Sequence, residues 1–151
     1  MTDSFVVIDG LLTSEECSEL MGLVADQNSM VDLGELSETV RCRVLEKTGL
    51  DVLVPAAWYT KTYAPGESIG VHMDGSKRQG SKRSFATLLL YLNDVEGGET
   101  LFVKDTSIEP AVLHSVKPVH GRALILRQDV LHMSRPTRQT KCLLRNDLFL
   151  A

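Results

Sequence analysis

His72 and Asp74 are separated by one residue, at the end of the run Tyr63-Ala-Pro-Gly-Glu-Ser-Ile-Gly-Val-His-Met-Asp74. If Val71–Asp74 is an extended strand, the imidazole and the carboxylate project from one face. Two such groups do not close a metal site, so a third ligand has to come from elsewhere in the chain. Downstream, His120 and His132 are the histidines in suitable contexts, and His132 follows the apolar run Ala123-Leu-Ile-Leu126, with Lys141 a short strand beyond it. His-x-Asp with one distant His is the donor set of the two-His-one-carboxylate facial triad. That triad leaves positions on iron open for a chelating cosubstrate and oxygen.

The elements that must position these groups change character along the chain. Phe5–Ile8 is expected to be a short strand closed by Asp9-Gly10. Thr13 is expected to cap a helix with Glu16 as capping-box partner, its apolar stripe running through Leu20, Met21, Leu23 and Val24 to an end at Gln27-Asn28. A second helix is expected over Ser37–Thr48, stopped by Gly49. From Leu53 onward the pattern is β: Trp58–Tyr63, the ligand strand, Ser84–Leu92, Thr100–Val103 as its hairpin partner across a Gly-containing turn, Arg122–Leu126, a short turn carrying His132, and Lys141–Leu150. Thr106–Ser115 has no clear pattern, and Gly75–Arg83 reads as a polar surface loop. The expected fold is therefore mainly β: a jelly-roll core over residues 53–151, buttressed by two or three helices in residues 1–52, within one domain.

Composition excludes several alternatives. With 151 residues, 43% hydrophobic and 24% charged, the chain suits one globular domain with a sizeable core. A net charge of −4 argues against bulk nucleic-acid binding. No apolar run reaches the length of a membrane span, and Met1-Thr-Asp-Ser lacks the marks of a signal peptide. Three widely spaced cysteines, Cys17, Cys42 and Cys142, fit core thiols in a reducing compartment, so a cytoplasmic location is expected.

Four ordered stretches carry a family resemblance: the run ending His72-Met-Asp74, then Arg83-Ser-Phe-Ala-Thr-Leu-Leu-Leu-Tyr91, then Glu96-Gly-Gly-Glu-Thr100, then Val116 through His132 to Lys141. Over roughly residues 56–150 the chain resembles the iron(II)/2-oxoglutarate dioxygenases of the prolyl 4-hydroxylase type. The resemblance implies a double-stranded β-helix (cupin-like) with Fe(II) held by His72, Asp74 and His132. It also implies 2-oxoglutarate and O2 as cosubstrates, succinate and CO2 as products, and ascorbate as an accessory reductant. Lys141 matches the family's basic residue for the far carboxylate of 2-oxoglutarate. Tyr63, Tyr91 and Thr100 match positions whose hydroxyls support that carboxylate, and Leu89 would give an apolar wall. Arg145, on the face of Lys141, is the competing anchor, or else a holder of an acidic group on the substrate.

Two departures bear on substrate. Many relatives of this type have a Tyr where this chain has Ile69, and a Trp where it has Asp147. Retention of Asp74 favours hydroxylation over halogenation. The expected substrate is a prolyl or other residue of a protein or peptide. The alternatives are a free amino acid or small metabolite, a non-catalytic module that senses metal or 2-oxoglutarate, and a cupin-like metal enzyme without 2-oxoglutarate. His114 and His120 are expected to be surface histidines, and Trp58 and Tyr59 to be core or rim packing. The basic loop bearing Lys77, Arg78, Lys82 and Arg83 is read first as a solvated connection. As a lid it would favour an acidic substrate.

Overall fold

A computed structural model describes Met1 and residues 3–151. In chain order the elements are β1 (Phe5–Ile8), α1 (Ser14–Val24), β2 (Met30–Asp32), α2 (Gly34–Thr48), β3 (Val52–Leu53), β4 (Ala57–Tyr63) and β5 (Ile69–His72). There follow β6 (Arg78–Gln79), β7 (Lys82–Arg83), β8 (Ala86–Tyr91), β9 (Thr100–Val103) and β10 (Val112–Val116). The chain closes with β11 (Ala123–Arg127), β12 (His132–Ser134) and β13 (Lys141–Leu150). Seven strands form one antiparallel sheet in the order β1-β11-β8-β13-β4-β2, with β3 on the end of β13. A second sheet runs β10-β9-β12-β5, and β6 with β7 makes a small hairpin. The two larger sheets make up the double-stranded β-helix, and both helices lie outside it.

The period-2 alternation of the large sheet separates two cores. Leu88, Leu90, Ile125, Leu144 and Leu148 face α1 and α2 and pack with Cys17, Leu20, Val40, Val44 and Trp58. Their chain neighbours Leu124, Leu126, Leu143 and Tyr91 face the other way and pack with Phe102 and Val116 of the small sheet. Trp58 is fully buried on the helix side, where its Nε1–H donates to Ser37 Oγ at 2.8 Å, so the expected core role holds.

α1 begins as the sequence predicts. The Thr13 hydroxyl accepts from the Glu16 N–H, and the Glu16 carboxylate accepts from the Thr13 N–H, leaving two fewer orphan donors. The same carboxylate takes a forked pair of hydrogen bonds from Arg43 of α2, at 2.6 and 3.0 Å, which locks the helices together and holds its pKa down to about 2. The helix ends at Val24, three residues short of Gln27. α2 starts earlier than expected, at Gly34, and ends where Gly49 takes the left-handed conformation.

Other expectations are corrected. Thr100–Val103 is not the hairpin partner of β8: β9 pairs with β10 and β12, so the turn Asn93–Glu99 carries the chain from one sheet to the other. Residues 106–115, unassigned from sequence, end in β10, and His132 opens a strand rather than sitting in a turn. The segment before residue 53 supplies β1 and β2, the two edges of the large sheet, besides its helices. Cys17 and Cys142 are buried, Cys42 is exposed, and all three are free thiols. Among the described residues no helix is long and apolar enough to cross a membrane.

Gly121 joins the layers. Its N–H donates to the Tyr91 carbonyl and its carbonyl accepts from the Leu12 N–H. Its φ is +79°, and a Cβ there would lie 2.3 Å from the Leu12 carbonyl oxygen. A left-handed non-glycine residue costs about 1–2 kcal/mol before any clash. Gly121→Ala is therefore expected to destabilise the fold by more than about 2 kcal/mol. Urea unfolding should show this as a lower midpoint with an unchanged slope.

Candidate active site

The small sheet brings the two histidines together. β5 ends on His72, β12 starts on His132, and the two are direct cross-strand partners. Their rings lie 4.2 Å apart between centroids. Asp74 follows two residues after the end of β5, where the chain has left the sheet, so the expected strand over Val71–Asp74 stops at His72. The carboxylate still meets the imidazoles: Asp74 Oδ1 is 3.2 Å from His72 Nε2 and 3.4 Å from His132 Nε2. One donor atom from each of the three residues lies within 4.8 Å of the others.

The partners of these groups decide what they can hold. His72 Nδ1–H donates to the Gly70 carbonyl at 2.9 Å, and His132 Nδ1–H to the Val130 carbonyl at 3.1 Å. Each neutral ring therefore presents Nε2 as a lone pair. Two lone pairs and a carboxylate oxygen then converge with no proton between them, and only a cation satisfies all three. In the absence of metal the same demand falls on a proton, since the hydrogen bond to Asp74 raises the pKa of His72. Burial by itself would raise the Asp74 carboxyl, but hydrogen bonds from His132, His72 and Thr87 outweigh it and hold the group far below its ordinary range. The oxygen- and nitrogen-only donor set, open to the cavity on the His72 side, fits iron.

Asp74 is fixed from the large sheet. Thr87 of β8 donates its hydroxyl to Asp74 Oδ2 at 2.7 Å, and Gln128, just past β11, donates to Thr87 Oγ1 at 3.0 Å. The same amide nitrogen donates to Asp147 Oδ1 at 2.8 Å, and Gln128 Oε1 accepts from the Ser84 hydroxyl at 2.6 Å. Thr87 and Gln128 were not identified from the sequence. Thr87 was within reach, because it lies two residues before Leu89 on the same face, but nothing local marks Gln128.

A cavity of about 430 Å³ opens beside the triad. Of the residues singled out from sequence, it is lined by His72, Asp74, His132, Tyr63, Leu89, Thr100, Lys141 and Arg145. Tyr91 is the exception: fully buried behind the wall, it meets the Thr100 hydroxyl at 2.7 Å and reaches the cavity only through it. Lys141 sits at the deep end, 2% exposed. Its ammonium lies 4.5 Å from the centroid of the Tyr63 ring and donates to the Gly98 carbonyl at 2.9 Å. Desolvation pushes its pKa from 10.5 down to about 8, and desolvation likewise pushes the Tyr63 phenol up to about 12. Glu96–Glu99, expected to be only a turn beside Thr100, thus also aims Lys141: a Cβ on Gly98 would lie 3.0 Å from Lys141 Cδ.

Arg145 lies nearer the mouth. Its Nη2 is 4.0 Å from Asp74 Oδ2 and 3.4 Å from Asp147 Oδ1, and its guanidinium is 5.7 Å from the centroid of the Tyr59 ring. Tyr59, 44% exposed, is a rim residue, and Lys61 beside it is a lining cation that sequence reasoning missed. Ile69 also lines the cavity. None of Lys77, Arg78, Lys82 and Arg83 does. Their segment is an ordered hairpin in which Lys77 Nζ turns back onto the Asp74 carbonyl at 2.8 Å. His114 and His120 are exposed and outside the site, as expected, with His120 bonded to Asp94 and Ser14.

Residues 58–146 match the 2OG-Fe(II) oxygenase superfamily, and the chain belongs to that family. Its fold is that of the prolyl 4-hydroxylase type. A probable prolyl 4-hydroxylase of Arabidopsis thaliana is 28% identical over 139 residues, covering 75% of this chain and 49% of the relative. The chain thus spans about half the length of that relative. The viral collagen prolyl hydroxylase of Paramecium bursaria Chlorella virus-1, solved with 2-oxoglutarate, superposes with a TM-score of 0.72 at 19% identity, covering 99% of this chain and 97% of that one. A Pseudomonas putida prolyl-4-hydroxylase gives 0.70 at 17% (99% and 94% covered). HygX of Streptomyces hygroscopicus, solved with nickel and 2-oxoglutarate, gives 0.68 at 15% (99% and 83% covered). At such identities the three structures establish the fold and leave substrate open.

Thr87→Val removes the hydroxyl that holds Asp74 while keeping the shape of the side chain. Loss of such a supporting bond is expected to weaken divalent-metal affinity about 10- to 100-fold. Chelator competition on the purified variant measures it, and the melting temperature should stay close to that of the parent.

Proposed function

We propose that this protein is an Fe(II)- and 2-oxoglutarate-dependent dioxygenase that hydroxylates an unactivated carbon and releases succinate and CO2. The observation that carries the reading is the convergence of His72, Asp74 and His132 at one end of a cavity whose other end holds the buried ammonium of Lys141. His72, Asp74 and His132 would hold the iron, which when bound supplies the activation of oxygen that the side chains cannot provide. Lys141, with the Thr100 hydroxyl and Tyr63, binds the far carboxylate of 2-oxoglutarate. Tyr91 orients Thr100, and Leu89 keeps water from the chelating end. Lys141 is preferred to Arg145 as anchor for two reasons. It has no carboxylate partner in the cavity, whereas Arg145 already lies against Asp147 and Asp74. A buried cation whose desolvation outweighs the attraction of nearby Glu99 also gains most from an anionic guest.

The substrate is taken to be a prolyl or other residue of a protein or peptide, by analogy with the prolyl hydroxylases it resembles. A second reading, hydroxylation of a free amino acid or small metabolite, is favoured by Ile69 and Asp147 standing where many such hydroxylases carry aromatics, and by the cation at the rim. The three free thiols support a reducing, cytoplasmic setting. Ascorbate as a reductant rests on the family resemblance alone.

The test needs no substrate. Under nitrogen, Fe(II) and then 2-oxoglutarate are added to metal-free protein, and the visible charge-transfer band of the chelate is followed. His72→Ala should abolish the band. Lys141→Met, which keeps the apolar stem, should raise the 2-oxoglutarate needed at least tenfold, and Arg145→Gln should change it less than threefold. No band in the wild type sinks the dioxygenase reading. A band without succinate formation under air, with or without candidate substrates, leaves a sensing module.

The depressed pKa of Lys141 gives the binding a pH signature. The ammonium must be present to pair with the carboxylate, and the folded protein releases that proton near pH 8. The dissociation constant of 2-oxoglutarate should be flat below about pH 8 and rise about tenfold per unit above it. In Lys141→Met the rise should vanish.

A further inference from the structure

We infer that Arg145 is a subsite for a carboxylate of the primary substrate, so that this enzyme hydroxylates a molecule bearing a free carboxylate beside the target carbon. The inference rests on the dioxygenase reading and deepens it by naming the chemical class of the substrate.

The first support is the state of the guanidinium. Only its Nη2 edge is engaged, toward Asp147 Oδ1 at 3.4 Å and Asp74 Oδ2 at 4.0 Å. Among the described residues, no hydrogen bond is donated by Nε or Nη1. Asp147 is itself pinned by the Gln128 amide at 2.8 Å, and the Tyr59 ring flanks the guanidinium at 5.7 Å. Arg145 is thus held through one Nη2–H, and its second Nη2–H, paired with Nε–H or Nη1–H, still offers one fork that matches a carboxylate.

The second support is charge. The titratable groups on the cavity wall, apart from the two histidines and Tyr59 and Tyr63, are Lys61, Lys141 and Arg145 against Asp74 alone. In the proposed reading, metal would be held by Asp74 and the far carboxylate of 2-oxoglutarate by Lys141. The cations left at the mouth are Lys61 and Arg145, offset there only by Asp147 against Arg145, in a protein whose net charge is −4. A cleft of local sign opposite to the whole molecule selects its ligand by charge.

The third support is distance. Lys141 and Arg145 lie on one face of β13, four residues apart, a span of about 13 Å. Lys141 turns to Gly98 and Tyr63, Arg145 to Asp147 and Tyr59. The two cations therefore serve different anions, and Arg145 is the one beside the metal end, where a substrate carbon must come.

The experiment uses protein loaded with Zn(II) and 2-oxoglutarate, so that nothing turns over, and reads dissociation constants by calorimetry. The probes are the free L-amino acids, the C-terminal amides of those that bind, and a blocked peptide containing one Glu and one Pro. The expected result is at least one carboxylate probe that binds the wild type ten or more times tighter than its amide. In Arg145→Gln that difference should disappear, while the dissociation constant for 2-oxoglutarate changes less than threefold. Arg145-dependent binding of a free amino acid assigns the carboxylate to a small molecule; of the blocked peptide, to an acidic side chain. The inference is overturned if carboxylate and amide bind alike, if no probe binds the loaded protein, or if Arg145→Gln weakens 2-oxoglutarate tenfold. Should Arg145→Gln fail to fold, Arg145→Lys keeps the charge without the fork and is expected to retain less than a third of the carboxylate preference. A preference unchanged in Arg145→Lys overturns the forked-donor assignment. Absence of 2-oxoglutarate binding in the metal-loaded wild type, seen before any probe is added, is the failure of the dioxygenase reading instead.

Discussion

Two imidazole lone pairs and a carboxylate oxygen face one another across little more than 3 Å, with both ring protons already given to backbone carbonyls. Without a cation this arrangement is a repulsion, and the protein holds it in place from two directions. The histidines are locked by cross-strand pairing in the small sheet, and Asp74 by the Thr87 hydroxyl of the large one. The small sheet and the turn after β5 supply all three donors, and the large sheet fixes the carboxylate among them, so the site depends on the two sheets facing each other.

The large sheet divides its labour by residue parity. On β13, Lys141, Leu143 and Arg145 face the cavity, while Leu144, Asn146 and Leu148 face the helices. One strand thus places two cations along the cavity and anchors the helical layer. A one-residue slip would exchange the two sets and bury Leu144 against the metal centre. The N-terminal segment guards against this, since β1 and β2 cap both edges of the sheet and the helices press on its outer face. The buried Lys141 costs stability that this packing has to offset, helped by the Gly98 carbonyl, the Tyr63 ring and the nearby Glu99 charge.

What the sequence disclosed was whatever is written in local spacing. The His72-x-Asp74 pair, the capping box of Thr13 and Glu16, the Gly49 stop and the periodicity of β13 are each decided within a few residues, and each stands where it was expected. The β8–β9 hairpin was misread because Gly97-Gly98 is an adequate hairpin turn locally. The choice to cross to the other sheet depends on β9 finding β10 and β12, a contact with no local signature. His132 was found, but its strand was not, since three residues carry too little pattern. Tyr91 illustrates a further limit: its place in the motif was right, yet the hydroxyl is one bond removed from the cavity, behind Thr100. Gln128 was invisible because its importance lies in joining three side chains from distant parts of the chain.

That junction connects the metal to the mouth. Gln128 holds Thr87, which holds Asp74, and Gln128 also holds Asp147, which holds Arg145. Arg145 in turn lies 4.0 Å from the Asp74 carboxylate, closing the circuit. A large aromatic at position 147 could not accept from Gln128, so Asp147 matters beyond the shape of the rim. It supplies the carboxylate that fixes Arg145 and at the same time the hydrogen bond that orients the group behind the metal ligand. If Arg145 reads a substrate carboxylate as proposed, charge recognition at the mouth and the geometry of Asp74 belong to one hydrogen-bonded network, and a change of substrate charge would act on the residues that support Asp74 as well as on the cavity wall.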